Sequence, residues 1–215
     1  NGAKPVTQYR DEGYLPEAMV NYLARLGWSH GDDEIFSREQ FLGWFNLDHL
    51  GSSAGRFDEA KLRWVNAQHL KAMDDVALAE LVAEQLTKRG IAADERLPRI
   101  CGLFKDRCDT TVALAVWAAA FYADVLPSAE ERTQHVTEAI QPALETLAEK
   151  LAACAWDKPS ISAAIKETIA AHGIKMPQLA MPVRVLVMGT AQTPSLDAVL
   201  ELQNQQTVLA RLQNA

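Results

Sequence analysis

Apolar positions recur along nearly the whole chain at three- and four-residue spacing, the period of helices packed by one face. From Pro16 to Leu26, the residues Ala18, Met19, Tyr22, Leu23 and Leu26 share a face, with proline in the first turn and Gly27 after the last. Ser37-Arg38-Glu39-Gln40 has the form of a capping box opening a short aromatic helix through Phe41, Leu42, Trp44 and Phe45. A glycine- and serine-rich loop, Gly51 to Gly55, comes next. Asp58 is placed to cap a helix that carries Leu62, Val65, Asn66 and His69. Asp74-Asp75 caps another, running to Lys88-Arg89 and stopped by Gly90.

Helices are expected over Glu95–Lys105 and Thr111–Ala123, the latter apolar nearly all round and so buried. Leu126-Pro127-Ser128 is the clearest break, and Ser128-Ala129-Glu130-Glu131 reads as a second capping box starting a polar helix that extends past Pro142. Ser160–His172 ends at Gly173, Pro177–Met188 ends at Gly189, and Thr193-Pro194 restarts a helix by cap and first-turn proline. The first strong helix follows Gly13. No alternating run with hairpin turns and no fixed-period repeat stands out. The expected fold class is all-α.

Composition narrows the setting. The 215 residues carry 21 Lys+Arg against 28 Asp+Glu, a net charge of −7, with 48 % hydrophobic residues, which is ordinary globular composition. No apolar run approaches the roughly 18 residues that span a bilayer, so no membrane contact is expected. Three cysteines, Cys101, Cys108 and Cys154, form no CxxC pair, and their odd number points to a reducing, cytoplasmic setting. The acidic balance alone argues against nucleic acid as a partner.

A search for chemistry finds no enzyme site. The Gly51–Gly55 loop lacks the Lys-Ser/Thr ending of a phosphate loop. His30, His49, His69, His135 and His172 are scattered without metal-ligand spacing, so no metal site is expected. Cys101 and Cys108, seven apart, read as two buried small hydrophobes before a redox pair. Asp32-Asp33-Glu34 and Glu130-Glu131 read as turn and first-turn acids. No catalytic residue is assigned, and no cofactor is expected on these residues.

Gln8-Tyr9-Arg10-Asp11-Glu12-Gly13-Tyr14-Leu15-Pro16-Glu17-Ala18, with Asn21-Tyr22-Leu23 and Leu26-Gly27-Trp28-Ser29, resembles the bacterial glutamyl-tRNA synthetase family, of class I. Glu34-Ile35-Phe36, Phe57-Asp58 with Lys61-Leu62-Arg63-Trp64 and Asn66, Leu103 to Thr110, and Pro182-Val183-Arg184 with Gly189-Thr190 and Thr193-Pro194 continue the resemblance in register. It covers essentially the whole chain, most specifically the first 70 residues; residues 128–175 match mainly in helical pattern. The resemblance implies the carboxyl-terminal part of such a synthetase. Residues 1–70 correspond to the stem-contact fold, and 71–126 and 127–215 to two helical subdomains of an anticodon-binding region. The Rossmann-type domain that takes ATP, Mg, L-glutamate and the acceptor end is expected outside the chain, with the family's Lys-x-Ser-Lys-Arg loop ending immediately before Asn1. The implied partner is the glutamate tRNA, met by a monomer.

The resemblance also assigns residues. Arg107 matches the arginine that inspects the third anticodon base, where cytosine marks the glutamate tRNA and guanine the glutamine tRNA. Guanidinium offers only donors, which suit the O2 and N3 acceptors of cytosine. Relatives charging both tRNAs tend to carry Gln here, so Arg107 implies the discriminating type. Arg184, a lone cation in Pro182-Val183-Arg184-Val185-Leu186, matches the second anticodon-contacting arginine. Thr193 and Leu196 match a segment lining the same site, while Asp197 stands where it can repel phosphate. Lys61 and Arg63 match residues facing the inner elbow of the tRNA, and Lys4 and Arg10 are assigned near the acceptor stem. Each has a plainer alternative: Arg107 pairs with Asp106 or Asp109, Arg184 snorkels or pairs internally, Thr193 is an ordinary cap, and Trp28, Trp44 and Trp64 are core residues rather than stacking platforms. Between Lys88 and Arg107 six cations face three acids, a basic stripe on an acidic molecule. The competing function class is an autonomous helical module that binds protein.

Overall fold

The computed structural model describes residues 4–51 and 55–214. Ser52-Ser53-Ala54 of the expected loop, and Asn1-Gly2-Ala3 at the start, lie outside the described residues. The described residues form α-helices and three short 3-10 turns with no sheet, only an isolated antiparallel bridge between Trp28 and Leu50. The chain divides into two compact units, the first ending at Ala118 and the second beginning at Ala119.

In the first unit the chain runs through α1 (Val6–Asp11), α2 (Pro16–Gly27), α3 (Arg38–Trp44), α4 (Glu59–Ala72), α5 (Asp75–Thr87), α6 (Leu97–Phe104) and the start of α7 (Thr111–Ala119). Helix α1 is an addition to the expected set. The Ser37 box forms in both directions: Ser37 Oγ accepts from Gln40 N at 3.1 Å, and Gln40 Oε1 accepts from Ser37 N at 2.8 Å. Asp58 and Asp74 cap α4 and α5 as expected, each accepting two backbone N–H groups. Leu62, Val65, Asn66 and Leu70 of α4 are buried, with α4 packed on α2 and α5 on α6. Leu23 of α2, placed on the apolar face, is instead exposed.

Two buried asparagines join distant segments. Asn66 Oδ1 accepts from Leu15 N at 2.8 Å, while its amide donates to Asp109 O at 2.6 Å. Asn21 Oδ1 accepts from Phe36 N, its amide donates to Glu34 O, and His69 Nε2 lies 2.8 Å from Asn21 Oδ1. That oxygen is an acceptor, so His69 carries its proton on Nε2. Gly13 cannot be another residue: its φ is +92°, and a Cβ would fall 2.7 Å from Val112 N and 2.9 Å from Thr111 N. These bonds span the boundary expected at residue 70, which falls in the last turn of α4.

Helix α7 corrects one expectation. It ends at Ala119, not Ala123, and is not buried all round, since Val116 is exposed. The second unit continues with α8 (Ala129–His135), α9 (Gln141–Ala153), α10 (Lys158–His172), α11 (Met176–Met188), α12 (Leu196–Leu202) and α13 (Gln205–Gln213). The polar helix expected to pass Pro142 breaks at Val136 instead. A proline inside a helix lacks the N–H and clashes with the carbonyl four residues back, so Pro142 opens α9. Helix α11 is buried along most of its surface, from Leu179 to Met188, and packs against α8 and α13. The Arg211 guanidinium closes the unit by donating to the carbonyls of Ala120 at 3.0 Å, Ala123 at 2.8 Å and Val187 at 2.7 Å.

Candidate nucleic-acid interface

Arg107 lies in the first unit, last in the 3-10 turn Lys105–Arg107 that follows α6. The turn is fixed from behind. Lys105 Nζ donates to Met73 O at 2.9 Å and pairs with Asp75 Oδ1 at 2.9 Å. Asp75 in turn occupies the space over Gly102, where a Cβ would come within 2.5 Å of its Oδ2. Phe104 and Cys108, on either side of the turn, are buried, leaving Arg107 exposed. The braced turn leaves the backbone beneath the guanidinium little freedom to lose on binding. Asp109, one of its two alternative partners, has its carboxylate 3.6 Å from Arg63 Nε.

The buried Cys101 and Cys108 thiols are pushed up to about 12 by desolvation, so both behave as inert apolar groups. The four further cations assigned to the RNA backbone divide by their pairing. Lys4 Nζ bonds Glu12 at 3.0 Å and Glu59 at 3.2 Å. Lys61 Nζ bonds Glu34 at 2.8 Å and sits 4.2 Å over the Trp64 ring. The two partners hold Glu12 and Glu34 below the usual carboxylate range, by hydrogen bonds from Lys4 and Lys61 respectively. Arg10 is the most exposed, at 73 %, with Asp11 at 3.4 Å. Trp28 is core, packed edge-on against Phe36 and Phe41. Trp44 is half-buried and stacks 4.2 Å from His30. Trp64 corrects its core assignment, being 41 % exposed beneath Lys61.

Arg184, Thr193 and Leu196 belong to the second unit and surround one loop, residues 190–195, between α11 and α12. Gly189 ends α11 with φ +80° and turns the chain into that loop. Arg184 Nη2 donates to Pro194 O at 3.3 Å, and Thr193 Oγ1 donates to the same carbonyl at 2.9 Å. Thr193 is not the N-cap residue of the next helix. Helix α12 begins two residues past Pro194, with Ser195 at the N-cap. Thr193 and Leu196 are only 6 % and 5 % exposed, whereas Gln192 and Ser195 stand in solvent. Asp197 Oδ1 accepts from Ala198 N at 2.9 Å within the first turn of α12.

Sequence reasoning missed what holds the loop at its other end. Ser128 Oγ accepts from Glu131 N at 3.1 Å, as the first half of a capping box, but the Glu131 carboxylate does not complete the box. It accepts instead from Thr190 Oγ1 at 3.1 Å and from Ala191 N at 3.3 Å. The same Ser-x-x-Glu pattern serves either purpose, so nothing in the sequence signalled the diversion.

Among the described residues no group of three or more His, Cys, Asp or Glu converges as a metal site, and no helix is long and apolar enough to cross a membrane. Residues 77–215 match the family model described as "Anticodon binding domain", and residues 3–64 match that of the catalytic domain of class I tRNA synthetases (E and Q). The chain is 77 % identical over 214 residues to the glutamate–tRNA ligase of Albidiferax ferrireducens, covering 100 % of this chain and 46 % of that protein. It is 72 % identical to that of Paracidovorax citrulli, again over 100 % of this chain and 46 % of the relative. The chain thus spans about half the length of the curated relatives it matches. A crystal structure of a glutamate tRNA ligase from Elizabethkingia meningosepticum in complex with its amino acid superposes with a TM-score of 0.87 at 26 % identity, covering 96 % of this chain and 42 % of that one.

Proposed function

The chain belongs to the anticodon-binding domain family, and on that premise we propose that it is the tRNA-recognition part of a glutamate–tRNA ligase. The observation that carries this reading is Arg107, exposed on a turn that Lys105, Asp75 and Gly102 brace from behind. In this reading Arg107 donates to the third anticodon base, preferring the acceptors of cytosine to the donor edge of guanine. Arg184, the second arginine assigned to the anticodon, holds the 190–195 loop through Pro194 O, and Thr193 and Leu196 shape the loop from inside. Arg10 and, once released from their carboxylates, Lys4, Lys61 and Arg63 meet the phosphate backbone; such contacts position without specifying. Residues 1–70 serve the stem, and 71–126 and 127–215 the anticodon. ATP, Mg and L-glutamate belong to the rest of a ligase of the relatives' length, acting in the cytoplasm as a monomer. No step of ligation is assigned to these residues.

Equilibrium binding to glutamate and glutamine tRNAs at several salt concentrations tests the reading. Salt-dependent binding with a preference for the glutamate tRNA is expected. Arg107→Gln is expected to remove that preference, a change of about 1–3 kcal/mol if the contact resembles direct readout in DNA. A preference untouched by Arg107→Gln refutes the assignment. Salt-independent behaviour towards every tRNA favours the protein-binding module instead.

A further inference from the structure

We infer that Gln192 is the side chain through which the 190–195 loop reads an RNA base, and that Glu131 is the positioning residue that holds it there. The inference rests on the tRNA-binding reading and goes past it in naming two residues outside the assigned set. Of the loop's polar side chains, that of Thr193 is buried and spends its proton on Pro194 O. Leu196 offers no polar group and faces the core. Gln192 and Ser195 are the residues of this segment that face solvent with hydrogen-bonding groups.

Between the two, Gln192 has the reach and the chemistry. Its amide presents a donor and an acceptor in one plane, the pattern that pairs with a base edge. The loop around it is held at both ends, by Glu131 on Thr190 and Ala191 and by Arg184 on Pro194. The Gln192 backbone is tied as well, its N–H donating to Thr190 Oγ1 at 3.3 Å. Glu131 gives up half of a capping box on its own helix to make these bonds. A loop braced this way meets the ordering cost of the backbone beneath Gln192 before binding, which favours affinity and selectivity together.

Binding of glutamate tRNA to the 215-residue chain, with each anticodon base substituted in turn, tests the assignment. Gln192 is exposed, so Gln192→Ala leaves folding intact. It is expected to weaken binding roughly fivefold to tenfold, the scale of one or two hydrogen bonds, with the salt slope unchanged because the side chain is neutral. One of the base-substitution penalties seen with the unaltered protein is expected to vanish in Gln192→Ala, which marks a direct pair rather than a structural effect. Glu131→Ala is expected to reduce that same penalty, and Glu131→Gln, which keeps an acceptor, to restore part of it. Binding by Gln192→Ala within twofold of the unaltered protein, or all base penalties retained, overturns the inference. So does a loss confined to Ser195→Ala. Absence of salt-dependent tRNA binding by the unaltered protein overturns this inference and the proposed function together.

Discussion

Thirteen large apolar side chains are exposed among the described residues; eleven of them precede Ala119, and only Leu126 and Met176 follow it. The two units therefore solve the packing problem differently. In the second, α11 is surrounded by neighbours, and Leu144, Leu147, Leu151, Ile161, Leu179, Val183 and Val199 close an apolar core with scarcely any exposure. In the first, α3 has no buried residue, and Leu42, Phe45, Leu47 and Leu50 stand in solvent within nine positions of each other. What gives the first unit one structure is its polar joints: Asn66 ties the backbone of Leu15 to that of Asp109, and Asn21 ties the 34–36 segment to α2 and to His69 of α4. Apolar burial is non-directional, whereas an amide satisfied on several sides specifies one arrangement. The second unit has polar joints too, at Arg211, Glu131 and the buried Gln203, but sets them against this closed apolar core.

The largest test of this contrast removes an amide. Asn66→Ala leaves Leu15 N–H and Asp109 C=O without their partner, and at about 1–3 kcal/mol for each unsatisfied group it should cost the first unit roughly 2–6 kcal/mol. Hydrogen exchange, followed separately on peptides from each unit, should show the loss in the first. Equal loss in both units, or none, breaks the contrast. Arg211→Met comes next, removing the donor to Ala123 O and Val187 O in the second unit, while Ala120 O keeps Gln203 Nε2 at 3.2 Å. A cost of about 2–4 kcal/mol is expected, with Arg211→Lys recovering only part because an ammonium lacks the planar fork. Full recovery by lysine would show that charge, not geometry, makes the joint.

The smallest effect is a pH dependence. Burial holds His69 below its ordinary value of 6.5, so the unfolded chain takes up this proton more readily than the folded one. Stability from this group is complete above that value and is lost as pH falls through it towards the folded pKa. Urea midpoints from pH 7.5 down to 5.5 should therefore fall more steeply for the unaltered protein than for His69→Gln. Parallel slopes would remove His69 from the set of polar joints.

Much of the helical layout was legible because it is local. The caps at Ser37, Asp58, Asp74 and Ser128 lie within three or four residues of the groups they satisfy, and Gly173 and Gly189 end α10 and α11 in the left-handed region, as their glycines implied. Arg107 was legible as a candidate by resemblance, but not the brace of Lys105, Asp75 and Gly102 that presents it. Helix α1 was missed because six residues carry too little periodicity. The α7 terminus was misplaced because residues 120–123 read as helix until Arg211, some ninety positions on, donates to two of their carbonyls.

The loop at 190–195 shows the same division most clearly. By itself the sequence determined the all-helical class, the end of α11 at Gly189 and the presence of an arginine within a buried run, since these follow from local geometry and from the cost of burying charge. Only the tertiary structure decided that Thr193 and Leu196 turn inward, that Glu131 leaves its own helix end for Thr190 and Ala191, and that Gln192 and Ser195 are left facing solvent. Glu131 had a local partner available in the backbone N–H of Ser128, and took Thr190 and Ala191 instead. Which one a polar group takes depends on what other segments bring within about 3 Å, and spacing along a chain does not encode that.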